Sequence, residues 1–318
     1  MRALVLLAAL LLLAPGATHA AGAAELVSDY RVRVGEPDEA RGLLGVPVGE
    51  PRGLVVILRG YNHSAESHRG HLQHLAEQGW VGVAMDYTGE RDSFPLMAGA
   101  LDTRDAILDV RATLGLEDKP AHLYSVSMGT AVAALLVPML PDTFTYWVNN
   151  EGLSMLHETW AGAAALSFTR NPTAVRALAA IEEECGGSPA HAPDCYRARS
   201  AALRADELSG IAGVVLTHGL NDGLVPHNQG REMVSALRAA GIPSDFYTVV
   251  RSSPGGEGTT ITGHAGLGGM GLAGHGTESN DAHTLTKLSF ELLDQVLEGR
   301  LVPSDAERVF DDELGHRP

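Results

Sequence analysis

The sequence has 318 residues, of which 45% are hydrophobic and 19% are charged, and these are the proportions of an ordinary globular protein. The formal net charge is −16 at pH 7. A surface this acidic repels phosphate backbones and anionic lipids, so nucleic-acid binding is disfavoured.

The first 23 residues have the features of a secretory signal peptide. Arg2 supplies one positive charge, residues 3–14 form a short apolar run, and small residues follow Pro15 and Gly16. The run is too short to span a bilayer. The segments 18–20 and 21–23 are both acceptable cleavage sites. We therefore expect a secreted or periplasmic protein without stable membrane insertion, whose folded domain spans residues 24–318.

Short apolar strands alternate with helices along the mature chain. Two edge strands are predicted within residues 30–48, where apolar residues alternate with charges. The elements that follow are, in chain order, a strand over 53–58, a helix over 69–78, a strand over 80–85, a helix over 94–114, a strand over 122–126, a helix over 130–140, strands over 144–148 and 213–217, a helix over 228–240, a strand over 246–250 and a helix over 285–297. This alternation predicts an α/β fold, a three-layer sandwich with a mostly parallel central sheet.

Two long stretches interrupt the alternation of strands and helices. Residues 153–209 separate the strands at 144–148 and 213–217, and residues 254–276 are rich in glycine. Loops of this length in compact domains usually act as lids or binding loops, so we expect 153–209 to form a helical cap insertion. The cap contains Cys185 and Cys195, for which export predicts a disulfide, with two free thiols as the alternative.

The strand over 122–126 ends at a serine that begins a sharp turn before a helix. Such a turn holds the serine in a strained backbone and exposes its hydroxyl above the sheet edge. The residues two positions before and after Ser127 must be small, and they are Ser125 and Gly129. The motif is S-x-S-x-G rather than G-x-S-x-G. We predict that Ser127 is a nucleophile, with a core-facing serine as the alternative.

A serine nucleophile needs a histidine base, and the base needs an orienting carboxylate. Asp222 lies in the loop after the strand over 213–217, where we favour it as the carboxylate over a solvated turn residue. Glu151, just after the strand over 144–148, is the second candidate. Three histidines follow the strand over 246–250, namely His264, His275 and His283. We favour His275 as the base, because it lies on a loop before the final helix, and the other two remain alternatives.

Two backbone N–H groups are needed to stabilise a developing oxyanion. We expect them from Met128, directly after the serine, and from Tyr61, after the strand over 53–58. We predict no cofactor, because the glycine-rich stretch lacks the lysine-serine ending of a phosphate-binding loop. We also predict no metal: the histidines at 63, 68, 71 and 74 have a spacing that a metal site could use, but a solvated helix face is the favoured interpretation.

The order Ser127, Asp222, His275 resembles that of the α/β-hydrolase superfamily, and the resemblance covers nearly the whole mature chain. The segment 214–250 is similar to the carboxyl half of dienelactone-hydrolase and prolyl-oligopeptidase relatives. Family members usually carry His-Gly at the position of Arg59 and Gly60, and the cysteine nucleophile of true dienelactone hydrolases is absent. Arg59 either steers a substrate or pairs with a nearby acid.

The resemblance implies a secreted serine esterase that acts on a small-molecule or polymeric ester. The first alternative is a secreted serine peptidase of the same fold, in which acidic cap residues within 182–184 hold a substrate amine. The second is a non-catalytic binding protein on the same scaffold. The oligomeric state is not predicted.

Overall fold

The computed structural model of the protein describes residues 26–89, 93–170, 172–252, 274–275 and 283–310. The predicted signal peptide and His264 lie outside these residues. Among the helices within them, none combines the length and the apolar character needed to cross a membrane.

The described residues form a single sheet of nine strands. The strands are β1 Val27–Val32, β2 Ala40–Gly45, β3 Leu54–Leu58, β4 Val81–Met85, β5 Ala121–Val126, β6 Phe144–Asn150, β7 Gly213–Gly219, β8 Ser244–Val249 and β9 Glu307–Phe310. Their spatial order is β1-β2-β4-β3-β5-β6-β7-β8-β9. Strand β2 is antiparallel to both of its neighbours, and all other pairs are parallel. The predicted mostly parallel sheet is confirmed.

Helices cover both faces of the sheet. They are α1 Arg69–Glu77, α2 Leu96–Leu114, α3 Gly129–Leu136, α4 Leu156–Ser167, α5 Pro172–Cys185, α6 Pro193–Ala198, α7 His227–Ala239 and α8 Thr284–Leu297. Residues of α1 and α8, such as Leu72 and Leu292, pack into one apolar core. Residues of α2 and α7, such as Ile107 and Met233, pack into another. Each fully buried side chain of this kind stabilises the fold by about 1.5–3 kcal/mol, and the three-layer prediction is confirmed.

The central strands are buried on both faces, which explains why they appear in the sequence as continuous apolar runs. All residues of β3 and β4 are buried. The parallel register aligns the carboxyl ends of the strands: Leu58 pairs with Ser125, and Ser125 pairs with Asn149. Asn150 in turn pairs with Thr217. Residues that follow these strands therefore meet at one edge of the sheet.

Two elements differ from their sequence predictions. The helix predicted over 130–140 ends as an α-helix at Leu136 and continues as a 3-10 turn over Val137–Met139, because Pro138 has no N–H for an α-helical bond. The ninth strand, β9, was not predicted. Its first three residues are exposed, so an apolar run, the signal that identified the other parallel strands, is absent from it.

The prediction that the histidines at 63, 68, 71 and 74 form a solvated face was wrong for two of the four. His68 and His71 are buried, and the ring of His71 stacks on Phe290 of α8 with centroids 4.3 Å apart. Nε2 of His74 lies 3.0 Å from Oδ2 of Asp294, also on α8. Phe290 of α8 thus packs on His71 of α1, and sequence spacing carries no information about that contact.

Residues 153–209 contain α4, α5, α6 and a 3-10 segment over Ala201–Leu208. The disulfide between Cys185 and Cys195 joins the end of α5 to α6, with Cα atoms 5.5 Å apart, so the predicted bridge is confirmed. The buried side chain of Gln229 on α7 attaches the start of this segment to the sandwich: its Oε1 accepts from the amides of Ser154 and Met155, each at 3.0 Å.

Candidate active site

Ser127 occupies the sharp turn between β5 and α3. Its φ is 52°, in the left-handed region that costs a non-glycine residue about 1–3 kcal/mol and is found preferentially at functional sites. Two backbone bonds hold the turn in place. The Ser127 amide donates to the carbonyl oxygen of Asn150 at 3.0 Å, and the Leu153 amide donates to the Ser127 carbonyl oxygen at 3.0 Å. The turn is thus fixed by the chain that follows β6.

Small residues beside the turn are required by close packing, as the sequence predicted. A Cβ added at Gly129 would lie 2.2 Å from the carbonyl oxygen of Leu58, which belongs to the neighbouring strand backbone. Ser125 stands where a glycine is usual, and its buried hydroxyl accepts a hydrogen bond from Nε1 of Trp147 at 2.7 Å. Trp147 is therefore a structural tryptophan of the core.

His275 and Asp222 form a buried hydrogen-bonded pair at this edge. Nδ1 of His275 lies 2.7 Å from Oδ2 of Asp222, and both residues are less than a tenth exposed. The other carboxylate oxygen of Asp222 accepts from the amides of Leu224 at 2.8 Å and Val225 at 2.9 Å. Asp222 is consequently not the solvated turn residue that the sequence left open.

The electrostatic surroundings keep Asp222 ionised. Burial alone would raise the pKa of this carboxyl, but the neighbouring His275 and His218 outweigh burial and hold the pKa well below its ordinary value. His218 lies with Nε2 2.8 Å from the carbonyl oxygen of Val225, so Nε2 carries the proton and donates it. Asp222 is therefore an acceptor for Nδ1–H of His275. In the neutral ring, Nε2 of His275 is then the unprotonated, basic nitrogen.

The position of His275 depends on close backbone contacts around Gly274. A Cβ at Gly274 would lie 2.3 Å from the Asn221 carbonyl oxygen, and a Cβ at Gly219 would lie 2.7 Å from the Gly274 carbonyl oxygen. Asn221 also bridges to Ser252, after β8, through two hydrogen bonds of 2.9 Å. These contacts hold His275 next to the loop that follows β7 and contains Asn221 and Asp222.

The second described histidine candidate has a different place. His283 is buried and caps the N-terminus of α8, where the amide of Leu285 donates to its Nδ1. Its Nδ1 is therefore bonded to the helix backbone. Of His275 and His283, the structure brings His275 to Asp222.

Glu151, the second candidate for the acid, also reaches His275. Its Oε2 lies 3.6 Å from Nδ1 of the histidine. Within the part of the chain that the structure describes, Glu151, Asp222 and His275 are the one group of potential metal-binding side chains, with ligand atoms within 4.8 Å of one another. Because Nδ1–H of His275 donates to Asp222, that nitrogen has no free lone pair for a metal ion.

The strand order, the turn at Ser127 and the helical layers decide the architecture. The chain has the α/β-hydrolase fold. Solved structures with this similarity include the acylaminoacyl peptidase of Pyrococcus horikoshii, with a TM-score of 0.59 at 15% identity over 87% of this chain and 42% of that one. A puromycin-hydrolysing peptidase of Mycobacterium tuberculosis gives a TM-score of 0.56 at 15% identity over 89% and 41%. An esterase of Pyrococcus furiosus gives 0.52 at 16% identity over 70% and 80%.

The two similar peptidases are much longer than this chain, which spans about two fifths of their length. Residues 49–149, about a third of the chain, match the sequence model of a family described as serine aminopeptidase, S33. No curated protein matches the chain. Peptidases and an esterase thus share the α/β-hydrolase fold with this chain.

The predicted oxyanion donors lie at the same edge of this α/β-hydrolase sheet. Met128 immediately precedes α3, and the first N–H groups of a helix have no acceptor within the helix. Tyr61 follows β3 by three residues, beside the strand that leads to Ser127, and its ring packs on Phe94 with centroids 5.3 Å apart. The position of these residues is compatible with their predicted role.

Arg59 has a structural position in the loop after β3. Its side chain is buried, donates twice to the carbonyl oxygen of Asp86 at 2.9 and 2.6 Å, and stacks over the ring of Tyr87 at 4.3 Å. These contacts tie the loop that carries Tyr61 to the end of β4.

The acidic residues of the cap are engaged in contacts of their own. Oε1 of Glu182 accepts from Nε1 of Trp160 at 2.9 Å, so Trp160 also has a structural contact. Glu184 forms an ion pair with Arg199 at 2.5 Å. Glu183 is exposed. Because Glu182 and Glu184 already have partners within the cap, this arrangement argues against their acting together as a preformed site for a substrate amine.

Proposed function

We propose that the protein is a secreted serine hydrolase that cleaves carboxylic esters through an acyl-enzyme on Ser127. The observation that carries the proposal is the 2.7 Å bond between Nδ1 of His275 and Asp222 at the sheet edge where Ser127 occupies its strained turn. Asp222 fixes the tautomer of the imidazole, so that Nε2 is the basic nitrogen available to a serine hydroxyl.

Acylation begins when Nε2 of His275 takes the proton of the Ser127 hydroxyl and the serine oxygen attacks the ester carbonyl carbon. The carbonyl oxygen becomes an oxyanion, which the N–H groups of Met128 and Tyr61 stabilise. One such donor is typically worth about 3–4 kcal/mol of barrier. When the intermediate collapses, the alkoxy group leaves with the proton from Nε2, and the acyl group remains on the serine.

Deacylation repeats these steps with water. His275 takes a proton from a water molecule, and the resulting hydroxide attacks the acyl carbon. The second tetrahedral intermediate collapses to the carboxylic acid, and the proton on Nε2 returns to the Ser127 oxygen. Asp222, which stays ionised, stabilises the imidazolium in both halves of the reaction.

An ester substrate is favoured over a peptide because the acidic cap residues are already engaged. Oε1 of Glu182 bonds to Trp160, and Oε1 of Glu184 pairs with Arg199, so part of the accepting capacity of these carboxylates and the charge of Glu184 are already used within the cap. We propose that residues 153–209 form a lid that limits substrate size, and that residues 1–23 direct the protein out of the cytoplasm.

A peptidase of the same fold is the second candidate. It is supported by the match of residues 49–149 to a serine aminopeptidase family and by the similarity to peptidase structures. The proposed triad chemistry is the same for both substrates, since only the leaving group differs. Specificity therefore has to be measured directly.

The deciding experiment combines labelling with a fluorophosphonate and two substrate series, one of chromogenic esters of increasing acyl length and one of aminoacyl amides. We expect the wild type and the exposed control Ser209→Ala to be labelled and to hydrolyse esters faster than amides. Ser127→Ala should remain folded, but it should be neither labelled by the fluorophosphonate nor able to hydrolyse esters. Hydrolysis retained in Ser127→Ala would refute the nucleophile, faster amide turnover would support the peptidase, and labelling without turnover would support a binding protein.

A further inference from the structure

One nitrogen of His275 faces two buried carboxylates. Asp222 Oδ2 lies 2.7 Å from Nδ1, and Glu151 Oε2 lies 3.6 Å from the same atom. The side chains of both acids are fully buried. The shorter contact is a hydrogen bond, whereas the longer one is beyond good hydrogen-bond length and acts through charge.

The backbone holds Glu151 in this place at a conformational cost. Its φ is 43°, which is the left-handed region for a residue with a long side chain, and such strain persists only where the surroundings enforce it. The Glu151 amide donates to the carbonyl oxygen of Thr217 at 2.8 Å. The side chain of Asn150 accepts from the Thr217 hydroxyl, also at 2.8 Å. The end of β6 is thereby fastened to β7, the strand that leads to Asp222.

The same segment holds the backbone of Ser127. Asn150, just before Glu151, accepts the Ser127 amide proton, and Leu153, two residues after it, donates to the Ser127 carbonyl oxygen. Glu151 therefore lies on the segment that fixes the serine turn, while its carboxylate faces the histidine. This is the arrangement expected of a residue that aligns the two reacting side chains.

A second histidine, His218, also lies close to the carboxylate of Asp222. Nε2 of His218 lies 3.5 Å from the same Oδ2 that bonds His275. Behind it lies the ring of His227, 5.7 Å from that of His218; burial lowers the pKa of His227 to about 4, so it adds no charge at neutral pH. Oδ2 of Asp222 is thus near two imidazoles, and Glu151 places a second carboxyl group beside His275.

We infer that Glu151 is a positioning residue that acts through His275 as a second carboxylate and favours the imidazolium formed when Ser127 gives up its proton. The inference rests on the proposed roles of Ser127, Asp222 and His275. In the resting enzyme the Nδ1 proton belongs to the bond with Asp222. When Nε2 gains the serine proton, the ring becomes a cation between two buried carboxyl groups, and an ionised carboxylate at this distance attracts it strongly in a site that is buried.

The test is the titration of His275 followed by NMR in the Ser127→Ala background, where no turnover is needed, with the signal assigned through His275→Asn. Removing the charge in Glu151→Gln should move the titration midpoint to lower pH by about one unit, a tenfold change in proton affinity. Glu151→Asp keeps the charge but withdraws it by one methylene, so the shift should have the same sign and be smaller. The exposed control Glu183→Gln should leave the midpoint unchanged.

The same variants in the active background give a second readout. The acid limb of the kcat/KM profile should move with the NMR midpoint, while kcat at pH 8 stays within about tenfold of the wild type, because Asp222 still fixes the tautomer. An unchanged midpoint in Glu151→Gln overturns the inference. If Glu151→Gln does not fold, an unchanged midpoint in Glu151→Asp overturns the inference instead. Because the NMR readout needs no substrate, failure of the proposed function in the Ser127 experiment is a separate result.

Discussion

Nδ1 of His275 and Oδ2 of Asp222 lie 2.7 Å apart although 53 positions separate the two residues in the chain. Asp222 comes from the loop after β7, and His275 is seated over that loop because Gly274 packs directly on the Asn221 backbone. The pair is buried, so its hydrogen bond is protected from competition by water.

Replacement of Asp222 by asparagine should nearly abolish ester hydrolysis. The amide can present its NH₂ group to Nδ1 and so favour the wrong imidazole tautomer, and it provides no charge to balance the imidazolium. We expect kcat to fall by about 10³–10⁴-fold. Steady-state kinetics on a short-chain ester measures the effect, with the exposed Asp206→Asn as the control. Loss of less than tenfold in Asp222→Asn would contradict the assignment.

Gly129→Ala tests the close approach of the helix after Ser127 to the neighbouring strand. The new Cβ would lie 2.2 Å from the carbonyl oxygen of Leu58, and a strand backbone cannot move away without disturbing the sheet. We expect the free energy of unfolding to fall by about 3 kcal/mol, together with a loss of activity from displacement of Ser127. Urea denaturation and ester hydrolysis are the measurements.

The matched control is Gly162→Ala on α4, where an added Cβ meets no atom within 4 Å. Alanine is the better helix former, so this change should raise the free energy of unfolding by about 0.5–1 kcal/mol without changing turnover. Equal effects of the two substitutions would show that the contact at Leu58 is unimportant.

His122 should make the protein less stable in mild acid. It is buried between Trp80 and Tyr146, and burial lowers its pKa to about 4, below the ordinary value of about 6.5. Between these pH values the unfolded chain binds a proton that the native protein does not. Stability is therefore greatest above about pH 6.5 and declines as the pH falls toward 4, by about 3 kcal/mol in total for this group.

His122→Phe keeps an aromatic ring in the site and removes the titrating group. Urea denaturation at pH 8, 6 and 4.5 should show that the free energy of unfolding falls less with decreasing pH in the variant than in the wild type. The exposed His157→Gln is the control and should follow the wild-type pH dependence. A difference between His122→Phe and the wild type that stays constant with pH would contradict the prediction.

Loss of the disulfide should destabilise the cap. The bridge closes a loop between Cys185 and Cys195 with a sequence separation of 10, and such a short loop is worth about 2–3 kcal/mol in the chain-entropy model. The double Cys→Ser variant should show a correspondingly lower free energy of unfolding and faster proteolytic cleavage within 153–209. Reductant should lower the stability of the wild type but not that of the variant, and a wild type indifferent to reductant would argue against the bridge.

The sequence was most informative where burial is uniform. The strands β3 and β4 are buried on both faces, so each is a continuous apolar run and was predicted within one or two residues. The edge strand β9 was missed because three of its four residues are exposed. The burial of His71 on α1 was missed for a related reason, since Phe290 of α8, which stacks on it, follows about two hundred residues later in the sequence.

The sequence by itself determined the alternation of strands and helices, the serine turn with its small neighbours, and the cysteine pair, because each is set by local backbone geometry or short spacing. Only the tertiary structure decided that His275 rather than His283 meets Asp222, and that Glu151 faces the same imidazole. Side chains from the ends of β6 and β7 converge because parallel strands in register deliver their carboxyl ends to one edge, and the distances between side chains there depend on packing across the whole sheet.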